Sequence, residues 1–272
     1  MKYVVAVSGG VDSMVLLDMM LRVNPGGIIV AHFDHGIRPD SHKDAEFVKD
    51  VAGRYGLILE SSREELGAGA SEELARNRRY RFLRSVAEKY NARLVTAHHL
   101  DDLVETVAIN LTRGTGWRGL AVFGADVSRP LIDKQKSELV DYARRHKIEW
   151  REDPTNSTKA YLRNRLRGAV ASLTLDQKMQ IRALQSSQSE LRSSIESEVN
   201  GLTSSGDWHS RYFYIMAKPA AALECIYNIT GGRLTRPQMA RMLHAIKVAA
   251  PNTTFEAGNG VRVYFSTRQF SL

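Results

Sequence analysis

Cysteine is nearly absent from this sequence of 272 residues, since Cys225 is its only example. One cysteine excludes an internal disulfide and any metal or persulfide chemistry that needs a Cys-x-x-Cys pair within the chain. No apolar run reaches the length of a membrane span, and the first residues enter a strand pattern without the features of a signal peptide. We therefore expect a cytoplasmic protein with no membrane partner, and a buried, apolar role for Cys225.

The remaining composition is that of an ordinary globular chain. With 43% hydrophobic and 25% charged residues, the chain can bury a full core and has room for one large and one small domain. A net charge of +8 and a pI near 9.6 favour an acidic partner, of which nucleic acid is the commonest. A basic surface that is merely solvated stays open as an alternative, because 38 basic against 30 acidic residues is a moderate excess.

A glycine turn follows the first apolar run, in the stretch "KYVVAVSGGVDSMVLLDMML". Gly9 and Gly10 leave the turn without side chains, so a ligand can approach the backbone. N-H groups at the start of a helix near Asp12 would face an anion, and Ser8 and Ser13 would add hydroxyls. The stretch fits neither the Walker nor the dinucleotide fingerprint. An ordinary turn capped by Asp12 or Ser13 is the alternative to a phosphate site.

Strand and helix patterns alternate along the first hundred residues. The strands are predicted at Tyr3–Val7, Ile28–Phe33, Leu57–Glu60 and Leu94–Ala97, and the helices at Asp12–Arg22, Ser41–Tyr55 and Ser71–Tyr90. This order predicts an α/β fold in which a parallel sheet is covered by helices on both faces. Ligands collect at the carboxyl ends of such strands. We expect three polar clusters at these ends to face one crevice, namely Ser8–Ser13, His32–Arg38 and His98–Glu105.

The pattern changes after about residue 170. We predict a large α/β domain over residues 1–170, a helical linker over 171–203 and a small α+β domain over 204–272. The linker is predicted to be helical because apolar residues recur at helical spacing between Leu175 and Val199. The small domain is predicted to contain a strand at Arg211–Met216, helices at Pro219–Ile229 and Arg236–Val248, and strands at Arg262–Phe265 and Gln269–Leu272.

Two carboxylates fall on one helix face in the stretch "TAHHLDDLVETVAINLTRGTGWRGL". If a helix starts near Asp101, then Asp102 and Glu105 project together toward the crevice. The same pair also fits a capping box, which needs no ligand. A zinc site built from His98, His99 and the two aspartates is a third alternative.

The motifs in this order resemble a known enzyme family. "SGGVDS" resembles the pyrophosphate loop of the ATP pyrophosphatase superfamily, whose members cut ATP between its α- and β-phosphates. Over about residues 3–167 the chain resembles the tRNA(Ile)-lysidine synthetases. The stretches that carry this resemblance are "SGGVDS", "AHFDHGIRPDSHKDAEFV", "ARNRRYRFL", "TAHHLDDLVETVAINLTRGTGWRGL", "RPLI", "EDPTN" and "YLRNRLR". The region after Gly201 matches only loosely, and Lys136 stands where the family more often has arginine.

The resemblance implies an adenine nucleotide alpha hydrolase-like fold and a two-step ligation that uses ATP and Mg²⁺. The carbonyl oxygen at carbon 2 of the wobble cytidine, in the CAU anticodon of an isoleucine tRNA, would attack the α-phosphate of ATP and release pyrophosphate. Free L-lysine would then attack carbon 2 and displace AMP, which forms lysidine. The partners implied are that tRNA, lysine and ATP. The oligomeric state is left open, with a homodimer as one alternative.

The resemblance also assigns roles to residues of this sequence. The pyrophosphate would be held by Ser8, Gly9, Gly10, Val11, Asp12 and Ser13. Magnesium would be held by Asp12 and Asp102, and lysine would be recognised by Asp102 and Glu105. Charge on the phosphates would be met by Arg113, Arg163 and Arg165, and RNA phosphates by Arg78, Arg79, Arg163, Arg165 and Arg167. The adenine pocket would be lined by His32, Phe33 and His98. For the histidines a structural role, and for the arginines a solvated basic face, is the alternative.

Two other functions share these features. A sulfur-inserting tRNA enzyme would use the same loop, but such enzymes usually need paired cysteines. A nucleotide-dependent RNA-binding module would release no pyrophosphate. For the ligation, we expect the tail after Gly201 to serve selection of the tRNA and not adenylylation, because it carries aromatic and basic residues without a catalytic pattern. These are Arg211, Tyr212, Tyr214, Arg233, Arg236, Arg241 and Arg262. A structural role for the tyrosines is the alternative.

Overall fold

The structure is a computed structural model that describes residues 1–37, 40–67, 69–152, 162–204 and 207–272, with the backbone alone at 162–165 and 207. The chain divides into two compact units, Met1–Ser189 and Glu190–Leu272. The boundary lies within one long helix, Leu175–Ser204. The stretch predicted as a linker therefore contributes its first part to one unit and its last part to the other.

A parallel sheet forms the centre of the first unit. Its strands are β1 (Tyr3–Ala6), β2 (Ile28–Asp34), β3 (Ile58–Arg63) and β4 (Arg93–Val95), in the spatial order β3-β2-β1-β4. Val4 pairs with Ile29 on one side and with Leu94 on the other. Every residue of β2 is buried, as is usual for a strand covered on both faces.

Helices cover both faces of this sheet. The helices of this unit are α1 (Val11–Val23), α2 (His42–Arg54), α3 (Glu72–Lys89), α4 (Leu100–Thr112), α5 (Lys136–Arg145), α6 (Leu162–Ala171) and the first part of α7 (Leu175–Ser204). Because side chains alternate along a strand, Val5 joins the cluster formed by α1, α2 and α5, whereas Val4 joins the cluster formed by α3. The predicted α/β sheet with helices on both faces is confirmed.

The order of the strands brings three loops to one edge of the sheet. Since β2 and β4 flank β1, the segments that follow these strands start side by side. In the described part of the chain, no helix is both long enough and apolar enough to cross a membrane.

The second unit is a small α+β fold. It contains α8 (Arg211–Met216), α9 (Pro219–Ile229), α10 (Arg236–Val248) and an antiparallel sheet of β5 (Thr254–Gly258), β6 (Val261–Phe265) and β7 (Phe270–Ser271). Its core includes Tyr214, Ile226, Met242 and Val263, and Cys225 lies buried among them. The predicted α+β character of the tail and the predicted burial of Cys225 are confirmed.

The prediction of a strand at Arg211–Met216 is wrong, because this segment is helix α8. The buried residues Arg211 and Tyr214 are three apart, which matches one face of a helix. The Arg211 guanidinium donates hydrogen bonds to the carbonyl oxygens of Ile246, Ala249 and Ser266, at 2.6–2.9 Å. These contacts override the strand preference of the aromatic residues. Neither Arg211 nor Tyr214 can meet RNA as predicted, because both side chains are buried.

Candidate active site

The loop between β1 and α1 is held open by backbone geometry. Gly9 has a φ of +88°, a conformation that favours glycine. A β-carbon at this position would lie 3.4 Å from the Phe47 ring. The carbonyl oxygen of Gly9 accepts a hydrogen bond from the backbone N-H of Arg151 at 2.9 Å. The loop is thus tied to a segment far along the chain and presents backbone rather than side chains.

The two serines of this loop have different environments. The buried Ser13 hydroxyl donates to the carbonyl oxygen of Gly10 at 2.9 Å and accepts from the backbone N-H of Ser8 at 3.2 Å. The hydroxyl of Ser8 lies 3.3 Å from that of Ser13 and is exposed. Ser13 therefore orders the loop, while the hydroxyl of Ser8 remains accessible to a ligand.

Asp102 caps the start of α4. Its Oδ2 accepts the backbone N-H of His99 at 3.1 Å, which makes His99 the N-cap and places Asp102 at the third helical position. The predicted capping box of Asp102 with Glu105 is wrong, because the helix begins earlier, at Leu100. The Asp102 side chain keeps about a quarter of its surface exposed. Capping uses one carboxylate oxygen and does not remove the other from a ligand.

The imidazole of His99 lies at the centre of the carboxylates. Its Nε2 is 3.4 Å from Oδ2 of Asp102 and 3.8 Å from Oδ2 of Asp12, and its Nδ1 is 3.7 Å from Oδ2 of Asp101. The sheet thereby brings together Asp12 from α1 and Asp102 from α4. Within the residues that the structure describes, no set of three or more His, Cys, Asp or Glu side chains is arranged to hold a metal, which gives the zinc alternative no support.

Two lysines complete this cluster, and sequence reasoning missed their role. Lys136, at the start of α5, places Nζ 2.7 Å from each carboxylate oxygen of Asp12. Lys178, on α7 and only 5% exposed, places Nζ 2.6 Å from Oδ1 of Asp101, whose Oδ2 accepts the backbone N-H of Lys136 at 2.8 Å. Burial would raise the pKa of Asp101, but the hydrogen bonds from Lys178 and Lys136 outweigh burial and hold this pKa below its usual value.

Glu105 lies one helical turn after Asp102 but in a different environment. It is 3% exposed, and its Oε1 is 3.2 Å from Nε of Arg167. Two residues predicted for different substrates, Glu105 for lysine and Arg167 for RNA phosphate, are thus in contact. Their assigned roles stay predictions.

The predicted adenine-pocket residues lie at the ends of β2 and β4. His32 is buried, and its Nδ1 is 2.8 Å from the carbonyl oxygen of Val7. Since a carbonyl only accepts, Nδ1 carries a proton, and in the neutral imidazole Nε2 is then the acceptor. The ring of Phe33 lies 5.7 Å from that of Phe82, and Nδ1 of His98 lies 2.8 Å from the Thr96 hydroxyl.

The predicted arginines are spread over several elements. Arg78 on α3 lies 3.8 Å from Glu64, and Arg79 lies 5.6 Å from the ring centre of Tyr80. Arg113 is exposed and directly follows α4. Arg163 and Arg165 lie on α6, but their side chains, like the whole of residues 153–156 in the "EDPTN" motif, lie outside what the structure describes.

Comparison with known proteins agrees with this geometry. Residues 1–174 match the family described as the PP-loop domain. The chain belongs to this family. A PP-loop chain is expected to use ATP, consistent with a loop that presents backbone and hydroxyls at a helix start.

Two curated relatives share sequence with the same part of this PP-loop chain. A tRNA(Ile)-lysidine synthase of Bacillus cereus is 41% identical over 186 residues, covering 61% of this chain and 39% of the relative. One of Thermotoga maritima is 37% identical over 182 residues, covering 62% of this chain and 44% of the relative. The matched part thus spans about two fifths of the length of these curated relatives.

A solved structure shares the fold at low sequence identity. The U34-tRNA thiolase NcsA from Methanococcus maripaludis, with its [4Fe-4S] cluster, aligns with a TM-score of 0.59 and 16% identity, covering 70% of this chain and 72% of that one. At this identity the likeness concerns the fold alone.

Proposed function

We propose that this PP-loop protein ligates free lysine to carbon 2 of the wobble cytidine in an isoleucine tRNA with a CAU anticodon. The observation that supports this most is the cluster of Asp12, His99 and Asp102 directly beside the glycine loop. Such a cluster places carboxylates next to the expected pyrophosphate and offers them to a cationic substrate. The identity shared with two lysidine synthases supports the same reaction.

In the first step the carbonyl oxygen at carbon 2 of cytidine would attack the α-phosphate of ATP. The new bond joins this oxygen to phosphorus, and the bond to the bridging oxygen breaks, so pyrophosphate leaves. Backbone N-H groups at the start of α1 and the accessible hydroxyl of Ser8 would hold the leaving pyrophosphate. His32 Nε2, as a buried acceptor, and Phe33 would line the adenine site together with His98.

Asp12 and Asp102 would hold Mg²⁺. Their Oδ2 atoms lie within 3.8 Å of the same imidazole nitrogen of His99, and Mg²⁺ in nucleotide sites typically takes one or two carboxylates, with phosphates and water as further ligands. The ion would neutralise charge on the leaving pyrophosphate. It would compete for Asp12 with Lys136, whose ammonium contacts both oxygens.

In the second step the ε-amine of lysine would attack carbon 2, and AMP would leave with the original carbonyl oxygen. The partly exposed carboxylate of Asp102 would orient the lysine ammonium and assist its loss of a proton. Glu105 would join this site, with Arg167 as its partner until the substrate binds. Arg113, Arg163 and Arg165 would meet charge on the phosphates.

The RNA would be held by basic residues of both units. Arg78, Arg79 and Arg167 would contact phosphates of the tRNA in the first unit. The second unit would contribute to selection of the tRNA, and we place the reaction in the cytoplasm.

Isotopic labelling tests the reaction. A tRNA that carries ¹⁸O at carbon 2 of the wobble cytidine is incubated with the protein, ATP, Mg²⁺ and lysine, and the products are analysed by mass spectrometry. We expect one ¹⁸O in AMP, unlabelled pyrophosphate, and a tRNA nucleoside that has lost ¹⁸O and gained lysine. Release of ADP, or ¹⁸O retained in the nucleoside, would overturn the proposal. An RNA-binding module would give no AMP or pyrophosphate.

A further inference from the structure

We infer that one exposed face of α8 is a stacking surface for an unpaired nucleotide of the RNA substrate. We call this face the α8 surface and define it by the side chains of Tyr212, Ile215 and Met216. Their exposed fractions are 69%, 49% and 66%. Positions three and four apart lie on the same side of a helix, so the three side chains form one apolar patch. The inference rests on the proposed function, which supplies the RNA.

The α8 surface exists because the opposite side of the same short helix is fixed in the core. Arg211 and Tyr214 are buried, and Arg211 binds three carbonyl oxygens. Rotation of the helix would expose this guanidinium and leave the carbonyls unsatisfied, at a cost of about 1–3 kcal/mol for each group. The exposed side is therefore presented in a fixed orientation, as a stacking surface requires.

Charge around the α8 surface matches an anionic partner. Lys218 follows the end of α8 and is exposed, and the exposed Arg268 lies at its start, where its carbonyl oxygen accepts the backbone N-H of Arg211 at 2.9 Å. Residues 208–223 and 266–272, which form and flank the surface, contain no Asp or Glu. Cations at both ends of an apolar patch fit phosphates on either side of a stacked base.

A concave region adjoins the α8 surface. An open groove runs along α8 and is lined by Ser210, Tyr212, Phe213, Met216 and Ala217. Single-stranded RNA is bound by aromatic side chains that stack on bases, within a positively charged groove that follows the backbone. A protein interface also has an uncharged core inside a polar rim, but the charged side chains of residues 208–223 and 266–272 are all basic, which fits a polyanion better. The cationic ends therefore favour RNA over a second copy of the chain.

RNA binding by matched tyrosine variants tests the inference. The probe is the isoleucine tRNA with a CAU anticodon, bound to the full chain and followed by fluorescence anisotropy at several salt concentrations. We expect Tyr212→Ala to weaken binding by about 5- to 100-fold, the loss of roughly one stacked base. Tyr212→Phe keeps the ring and should bind nearly as the wild type. Tyr264→Ala, at another exposed tyrosine of the same unit, is the control and should also bind normally.

The salt dependence of tRNA affinity tests the roles of Lys218 and Arg268. Lys218→Ala and Arg268→Ala should each reduce the slope of log affinity against log salt by about 0.7, the value for one phosphate contact of a single strand. Thermal unfolding should stay near the wild type for all variants, because the altered side chains are exposed.

Three outcomes would overturn the inference. Tyr212→Ala could bind tRNA as tightly as Tyr264→Ala does. Alternatively, sedimentation could show a dimer that Tyr212→Ala dissociates, or phosphatidylserine-containing vesicles could bind the wild type and not the variant while tRNA binding is unchanged. If lysidine forms normally but Tyr212→Ala binds tRNA normally, only this inference fails. If no lysidine forms but Tyr212→Ala still loses tRNA binding, the proposed reaction is rejected and the inference about the α8 surface is kept.

Discussion

Both units bury charged side chains, but they surround them with different partners. In the first unit, the buried ammonium of Lys178 pairs with the carboxylate of Asp101, which also accepts the backbone N-H of Lys136. In the second unit, the buried guanidinium of Arg211 donates to backbone carbonyl oxygens only among its described hydrogen bonds. A charged ligand can replace one partner of an ion pair. A charged side chain that donates to backbone carbonyl oxygens instead holds the backbone in one conformation. From this difference we expect the first unit to carry the chemistry and the second unit to be the more rigid.

The strongest test of the first unit is Asp102→Asn. We expect ligation to fall by about a thousandfold, or about 4 kcal/mol, because a neutral amide cannot serve Mg²⁺ or a lysine ammonium. The melting temperature should change little, since the amide oxygen can still accept the His99 N-H.

The control for this variant is Asp176→Asn, which removes another first-turn aspartate, on α7. It should leave ligation unchanged. If Asp102→Asn retained near wild-type activity, capping would be the whole role of this residue and the cluster would lose its proposed chemistry.

Lys178→Met should destabilise the first unit by about 2–4 kcal/mol, because it leaves the partly buried charge of Asp101, 14% exposed, without its ammonium partner. Hydrogen exchange with mass spectrometry can locate the effect, which we expect in peptides before residue 190. The double variant Lys178→Met with Asp101→Asn should recover much of the loss. Lys134→Met, which breaks an exposed pair with Glu138, should cost less than about 1 kcal/mol. If both lysine variants lost the same free energy of unfolding, burial of Lys178 would not explain its contribution to stability.

Arg211→Met should destabilise the second unit by about 2–4 kcal/mol, since three carbonyl oxygens lose their donor. Exchange should increase in residues 190–272, while ATP binding by the first unit stays unchanged. Arg262→Met removes an exposed pair with Glu256 and serves as the control, with an effect below about 1 kcal/mol. A loss of ATP affinity in Arg211→Met would contradict the expectation that the first unit binds ATP independently of the second.

The smallest expected effect is acid sensitivity at Asp34. Burial would raise the pKa of this carboxyl, but hydrogen bonds from Gly36 and Ser41 and the charge of Arg63 hold it below the usual 3.8. A carboxyl with a lowered folded-state pKa stabilises the fold above its unfolded pKa, and this contribution is lost as pH falls through the folded pKa. Urea unfolding of the wild type should therefore weaken below about pH 4, and Asp34→Asn should show a shallower pH dependence. An identical pH profile would exclude this contribution.

The parts of the molecule that sequence predicts well are those with a local pattern. Short apolar runs between helical patterns identified β1 to β4, and the rule that ligand sites lie at the carboxyl ends of parallel strands placed Asp12 near the start of α4. Lys136 and Lys178 had no such signal, because they reach the aspartates from positions 35 residues or more away along the chain.

The second unit shows why other elements were missed. The aromatic residues of α8 favour a strand locally, and only the long-range contacts of Arg211 explain the helix. The sequence also gave no prediction for β5, whose pairing with β6 shifts register between Glu256 and Gly258. A residue at φ +111°, as at Gly258, breaks the alternation that identifies a strand.

The single cysteine allows the opening rate of the second unit to be measured. Cys225 is 1% exposed in that core, and burial raises the pKa of its thiol. A thiol reagent attacks the thiolate, so it must wait until the surrounding helices separate. The rate of labelling therefore measures how often this unit opens. Because no other thiol competes, mass spectrometry can record that frequency in the unaltered protein, with tRNA absent or present.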